Sequence, residues 1–155
     1  MRFEFLFLGK TKEAYLAAGV EDYAKRLARY LKINIKIVKE CRIKKGEPEN
    51  LLIEKESKNL MENAEGAYLV CLDRTGKQMD SLALATQLKR WEMQGPKKIS
   101  FVIGGPLGLS ATILNKSDLI LSLSPMTFTH EMTRLLLLEQ LYRACTIKAG
   151  EKYHK

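Results

Sequence analysis

Ile99-Ser100-Phe101-Val102-Ile103-Gly104-Gly105-Pro106 and, further on, Leu119-Ile120-Leu121-Ser122-Leu123-Ser124-Pro125-Met126-Thr127-Phe128 decide the fold of this chain. Each begins as a short aliphatic run bounded by turn residues, the pattern of a strand buried on both faces. Each run then stops on residues that open the backbone. The glycine pair permits positive φ or a close approach, and Pro125 blocks regular pairing while Ser124 and Thr127 offer hydroxyls. Taken alone, Gly104, Gly105 and Gly108 read as a tight strand-to-helix turn. They match neither G-x-G-x-x-G nor a phosphate loop ending in Gly-Lys-Ser/Thr.

Downstream, Thr129 is placed to cap a helix with Glu131 in its first turn. Met132, Leu135, Leu136, Leu137, Leu138, Leu141 and Ala144 cover more than one stripe of that helix, so it needs cover on several sides. It is a central core helix or one shared with a second subunit. Upstream, residues 2–8 read as a strand, 9–11 as a turn, and 12–30 as a helix with Leu16, Val20, Tyr23, Leu27 and Tyr30 at helical spacing. Ile33, Ile35 and Ile37 predict a strand with one face partly wet, followed by a basic loop over 41–50. A helix over 49–63 buries Ile53, Leu60 and Met61. Residues 67–72 form a strand, 73–77 a turn, and Ser81 caps a helix through Trp91 with Leu84 and Leu88 inward.

Strand and helix alternate throughout. The expected class is α/β: one domain over residues 1–155 with an open, mostly parallel sheet and helices on both faces. Ligands then sit at the C-terminal ends of the strands, which makes Leu72-Asp73, Gly104-Gly105 and residues 123–128 candidate site walls.

The net charge of +8 is uneven: residues 1–45 carry 12 Lys and Arg against 5 Asp and Glu, a surplus of +7. A single lysine is most simply a solvated side chain, but the asymmetry suits a polyanionic partner, and Arg42, Lys44 and Lys45 are candidate RNA contacts. Cys41, Cys71 and Cys145 are odd in number and form no C-x-x-C pair, which argues against a disulfide framework or zinc site and for reduced thiols, Cys71 and Cys145 buried. Neither histidine has a ligand partner at metal spacing, so no metal is expected. No signal peptide or membrane-length apolar run is present, and a cytoplasmic, non-membrane protein is expected.

Ile103-Gly104-Gly105-Pro106-x-Gly108-Leu109, then Leu121-Ser122-Leu123-Ser124-Pro125-Met126-Thr127-Phe128-x-His130, then Arg134, Glu139-Gln140-Leu141-Tyr142-Arg143-Ala144 and Tyr153-His154 together resemble the ribosomal RNA large subunit methyltransferase H family, small members of the knotted SPOUT methyltransferases. The resemblance runs from Phe3-x-Phe5-x-x-Leu8-Gly9-Lys10 to the last residue. Thr129 stands where several relatives have proline.

The resemblance implies a single SPOUT domain whose C-terminal segment is threaded into a trefoil knot. Periodicity alone gives a plain flavodoxin-like sheet, because threading is rare. It further implies that Leu72, Gly104, Leu123, Ser124, Pro125, Met126, Thr127 and Phe128 line a pocket for S-adenosylmethionine. The implied reaction is methylation of N3 of a pseudouridine in a hairpin of 23S (large-subunit) ribosomal RNA, by a homodimer acting on the ribosome. Attack on a sulfonium methyl is an in-line displacement, so positioning and charge management dominate. Arg134, Arg143, Tyr153 and His154 are the candidate catalytic groups, orienting the base or stabilising the imide anion, with Tyr153 and His154 folding over the pocket of the same chain or of a partner subunit. For Glu139 with Arg143, an intrahelical ion pair is an equally good account. Two other classes compete: a non-catalytic RNA- or ribosome-binding module, which leaves the glycine turn and the 123–128 loop without purpose, and a flavodoxin-type nucleotide binder, which leaves the basic asymmetry unexplained.

Overall fold

The computed structural model describes residues 1–153. Phe3, Phe5 and Phe7 face one side of the first strand and Leu6 and Leu8 the other, and all five are buried. A strand apolar on both faces must be covered on both. That strand, β1 (Arg2–Leu8), lies inside a sheet completed by β2 (Lys32–Val38), β3 (Tyr68–Gln78), β4 (Lys98–Ile103) and β5 (Leu119–Ser122). The order is β2-β1-β4-β3-β5 and every pairing is parallel. The helices are α1 (Ala14–Leu27), α2 (Glu49–Asn63), α3 (Ser81–Gln94), α4 (Ala111–Lys116) and α5 (His130–Lys148).

Two cores follow from the two faces. The Phe3-Phe5-Phe7 face packs with Val70, Phe101 and Leu121 against α1, α3 and α5. Trp91 of α3 is fully buried there, edge-on to Phe3 and Phe101 at centroid distances of 6.1 and 5.9 Å. The other face brings Leu6, Leu8, Val38, Cys71 and Val102 against Leu60 of α2 and Ile113 of α4. Helix α5 packs against both α1 and α3. Leu137, Leu138, Leu141, Ala144 and Cys145 are buried, and Leu135 and Leu136 are partly buried. This accounts for leucines on so many sides: α5 is a central helix.

Four elements differ from the sequence reading. The expected turn at 73–77 lies within β3: Leu72 and then Lys77 both stand opposite Leu121, and the residues between them loop out. The Asp73 carboxylate holds that loop, accepting from Thr75 N at 2.8 Å and Thr75 Oγ1 at 2.5 Å. At Gly76 the loop presses on β5 so closely that a Cβ would stand 2.6 Å from the carbonyl of Ile120. The cap of α3 is Asp80, whose Oδ1 accepts from Ala83 N at 2.7 Å, and Ser81 is the first helical residue. Two capping-type residues in a row leave the choice to geometry. Helix α1 is shorter than expected at both ends. The short helix α4, capped by Ser110, follows the glycine turn and is too short to carry a periodic signal. No helix among the described residues is long and apolar enough to cross a membrane.

Candidate active site

The C-terminal ends of β3, β4 and β5 and the first turn of α5 surround a cavity of about 600 Å³. That is within the range of roughly 300–1,000 Å³ for small-molecule sites. Leu72, Ile103, Leu121, Leu123 and Phe128 supply apolar wall; Asp73, Arg74, Ser124, Thr127, His130 and Thr133 supply polar groups. The Gly-rich turn closes through Gly108 N donating to Gly105 O at 3.0 Å. Gly104 is confined: a Cβ there would meet the Gly108 carbonyl oxygen at 2.6 Å. Opposite, the 123–128 loop holds itself, with Ser122 Oγ donating to Ser124 O at 3.0 Å and Ser124 Oγ accepting from Met126 N at 3.0 Å. Met126 remains 73% exposed at the rim.

Six of the eight residues expected at the cofactor pocket come from that loop, and five of those six line the cavity. Leu72 and Gly104 line it too, whereas Pro125 does not. A mostly apolar cavity with backbone-rich walls fits a flat, uncharged adenosine moiety, whose ring edges need backbone donors and acceptors and whose faces need apolar cover. Ile103, Arg74 and Thr133 also line it and were missed by the sequence reading. Thr133 was accessible to it, because it lies one turn after His130 on the same helix face.

The first turn of α5 does a second task. Thr129 Oγ1 accepts from Met132 N at 3.2 Å, capping the helix. Glu131 turns away from the cavity and accepts from the backbone N–H groups of Lys12 and Glu13, each at 3.0 Å. Burial acts to raise the Glu131 pKa, but those two donors and the neighbouring His130 and Arg134 outweigh it and the carboxylate is held below its ordinary range. His130 lines the cavity, and burial, followed by the charge of Arg134, lowers its pKa. It is therefore neutral at pH 7.

Arg134, a candidate for charge stabilisation, lies beneath the cavity's neighbouring turn. It is fully buried, donates to Leu8 O at 2.6 Å and Thr11 Oγ1 at 3.0 Å, and lies 4.9 Å above the Phe7 ring. It holds the turn between β1 and α1 and has no surface for an RNA phosphate or an imide anion. Arg143 and Tyr153 lie elsewhere. Arg143 pairs with Glu139 at 2.5 Å and lies 4.7 Å over the Tyr153 ring. The Tyr153 hydroxyl meets Tyr23 and Glu139 at 3.2 Å each, and its ring packs on Tyr142 at 4.8 Å. Its hydrogen bond with Tyr23, then burial, raises its pKa. Arg143 follows His130 by 13 residues of continuous helix, about 20 Å. A single chain therefore does not bring Arg143 and Tyr153 to the cavity. His154 lies outside the described residues. Arg42, Lys44 and Lys45 are exposed on the loop between β2 and α2.

Compared with known proteins, residues 1–154 match the family described as "Predicted SPOUT methyltransferase". The chain is 50% identical over 157 residues to the ribosomal RNA large subunit methyltransferase H of Desulfotalea psychrophila, spanning 100% of both proteins. The chain belongs to the ribosomal RNA large subunit methyltransferase H family of SPOUT methyltransferases. Another relative in that family, from Halothermothrix orenii, is 44% identical over 159 residues, again across 100% of both. Among solved structures, a probable methyltransferase from Bordetella pertussis superposes with a TM-score of 0.55 at 15% identity, covering 93% of this chain and 95% of that one. The tRNA (m1G37) methyltransferase of Aquifex aeolicus gives 0.53 at 15% identity, covering 92% of this chain and 69% of that one. These likenesses show the fold. SPOUT membership implies a knotted C-terminal path.

Proposed function

We propose that this protein transfers a methyl group from S-adenosylmethionine to N3 of a pseudouridine in a hairpin of 23S ribosomal RNA, acting in the cytoplasm as a homodimer on the ribosome. The observation that carries the reading is the cavity at the three strand ends, lined by the family's glycine turn and 123–128 loop. Bound there, S-adenosylmethionine supplies an electrophilic sulfonium methyl. Leu72, Leu123 and Phe128 would enclose the adenosine, and the backbone around Gly104 and residues 124–127 would read its edges. Closing such a site around the nucleobase contributes through orientation and exclusion of water, the terms that dominate an in-line displacement.

Tyr153 and His154 supply the base-orienting tail in this reading, with Arg143 beside them. Because Tyr153 packs on Glu139, Tyr142 and Arg143 and does not line the cavity of its own chain, the tail serves the cavity of a second copy in this reading. The homodimer is thus part of the mechanism, since the site is incomplete without it.

The test is transfer of labelled methyl from S-adenosylmethionine to ribosomes purified from cells lacking the protein, with the modified nucleoside identified by mass. The expected product is N3-methylpseudouridine in large-subunit RNA. Cofactor binding without incorporation into any ribosomal RNA refutes the substrate and supports a binding role.

A further inference from the structure

A second recess, of about 750 Å³, opens at the C-terminal end of β2 and is lined by Lys39, Glu40, Cys41, Arg42, Lys55 and Asn59. Three cations face one carboxylate there. Among the described residues none of the three is in an ion pair, although Lys25, Arg26, Lys98, Lys148 and Arg143 all are. Unpartnered cations gathered at a concavity concentrate positive potential and attract anions. Glu40 offsets part of that charge, and its side chain leans over Gly9. The Cys41 thiol adds no negative charge, because burial raises its pKa.

The walls are fixed rather than loose. Helix α2 anchors the backbone on both sides of the recess: Asn59 Nδ2 donates to Lys39 O at 3.3 Å, and Cys41 N donates to Glu56 Oε1 at 3.2 Å. Lys55 sits on α2 next to Glu56 and one turn before Asn59. Glu56 is itself buried, and its Oε2 stands against the backbone of Gly105, 3.5 Å from where a Cβ would project. One carboxyl therefore bonds the recess wall and faces the glycine turn of the cavity. Along the same sheet edge, Val38 pairs with Leu8, and β4 pairs with the opposite side of β1. The recess thus lies about two strand spacings, roughly 10 Å, from the end of β4.

We infer that this recess is a phosphate-binding site for the RNA backbone, in which Lys39, Arg42 and Lys55 hold phosphodiesters of the strand whose base enters the neighbouring cavity. The inference rests on the proposed RNA substrate and identifies where the RNA is gripped. It moves the grip from the exposed Lys44-Lys45 tip to a concave site braced by α2.

The test compares two triple variants of equal charge change. One is Lys39→Gln, Arg42→Gln and Lys55→Gln; the other is Lys89→Gln, Arg90→Gln and Lys97→Gln, all exposed residues away from the recess. Binding of a fluorescent synthetic RNA hairpin is measured across salt concentrations. Neutralising three phosphate contacts lowers the slope of log K against log salt by about 2, at roughly 0.7 per single-strand phosphate. The recess variant is expected to show that loss, with the control slope near wild type and binding of S-adenosylhomocysteine retained by both. Equal slopes in the two variants overturn the recess, since net charge alone then explains binding. A recess variant with the wild-type slope overturns it as well. If the wild-type protein binds no RNA at any salt concentration, the RNA substrate and the recess both fall, which separates failure of the function from failure of the site.

Discussion

Replacing Glu131 tests whether α5 organises the first third of the chain. Helix α1 has no side-chain cap of its own, because its N-cap residue Glu13 makes no capping hydrogen bond. The carboxylate of Glu131, 7% exposed, takes the place of that cap by accepting from Lys12 N and Glu13 N. Loss of an N-cap costs about 0.5–2 kcal/mol. Hydrogen bonds to a charged group contribute about 1.5–3 kcal/mol each, but water can reach the freed N–H groups of the exposed residues. Glu131→Ala should therefore cost about 2 kcal/mol, which lowers Tm by roughly 4–8 °C in a domain of this size. The pH dependence supplies a second readout. The Glu131 pKa is lowered by folding, so its stabilisation is present above the ordinary value of 4.5 and disappears as pH falls through and below it. Thermal melts at pH 7 and in acid should show the gap between wild type and Glu131→Ala closing in acid. Unchanged Tm at pH 7, or a gap that does not vary with pH, refutes the cross-chain cap.

Two further substitutions separate the site from its support. Gly104→Ala places a Cβ 2.6 Å from the Gly108 carbonyl oxygen and forces the turn to move, so affinity for S-adenosylhomocysteine measured by calorimetry should fall at least tenfold, about 1.4 kcal/mol, with far-UV dichroism unchanged. Retained affinity means that the turn does not shape the pocket. Truncation after Gly150 removes Tyr153 and the tail; it should abolish methyl transfer to ribosomes while leaving cofactor affinity near wild type, and normal transfer by the truncated protein would show that the tail has no role in the reaction.

Most of the sheet was legible because its inner strands are apolar on both faces, β2 alternates, and its helices carry periodic leucines. Residues 2–8, 99–103 and 119–122 needed only short aliphatic runs and the breakers after them. The second passage of β3 along β5 was not legible. Its pairing depends on Gly76 meeting the Ile120 backbone, a contact between segments more than forty residues apart that leaves no local period. The cavity-lining loop 123–128 was legible only by motif, since Ser124, Met126, Thr127 and Phe128 are polar or exposed and carry no packing pattern. Arg134 misled for a related reason. An arginine at the start of a helix near a ligand site reads as an anion contact, and only the fold reveals a guanidinium enclosed beneath the turn between β1 and α1. Glu56 was invisible as well: on an amphipathic helix a glutamate reads as solvent-facing, yet here it is buried between Cys41 and Gly105.

Helix α5 divides its polar residues by position along its length, and that division constrains the mechanism. Its first turn gives His130 and Thr133 to the cavity and Glu131 and Arg134 to the turn between β1 and α1. Its middle and second half give Glu139 and Arg143 to the Tyr153 cluster. Of the charged groups on α5 near the cavity, both are already engaged elsewhere, and His130 is held neutral. The charge that its own chain leaves at the cavity comes from β3, whose Asp73 and Arg74 line it. A reaction that ionises an imide at N3 needs cationic or hydrogen-bonding support at that atom. The Arg143 and Tyr153 cluster has such groups but does not line the cavity, and Arg143 is ten residues of helix, about 15 Å, beyond Thr133. A second copy that sets this end of α5 over the first copy's cavity would add Arg143 and the Tyr153 hydroxyl to Arg74 there, so the proposed dimer is favoured by the electrostatics as well as by the reach of the tail.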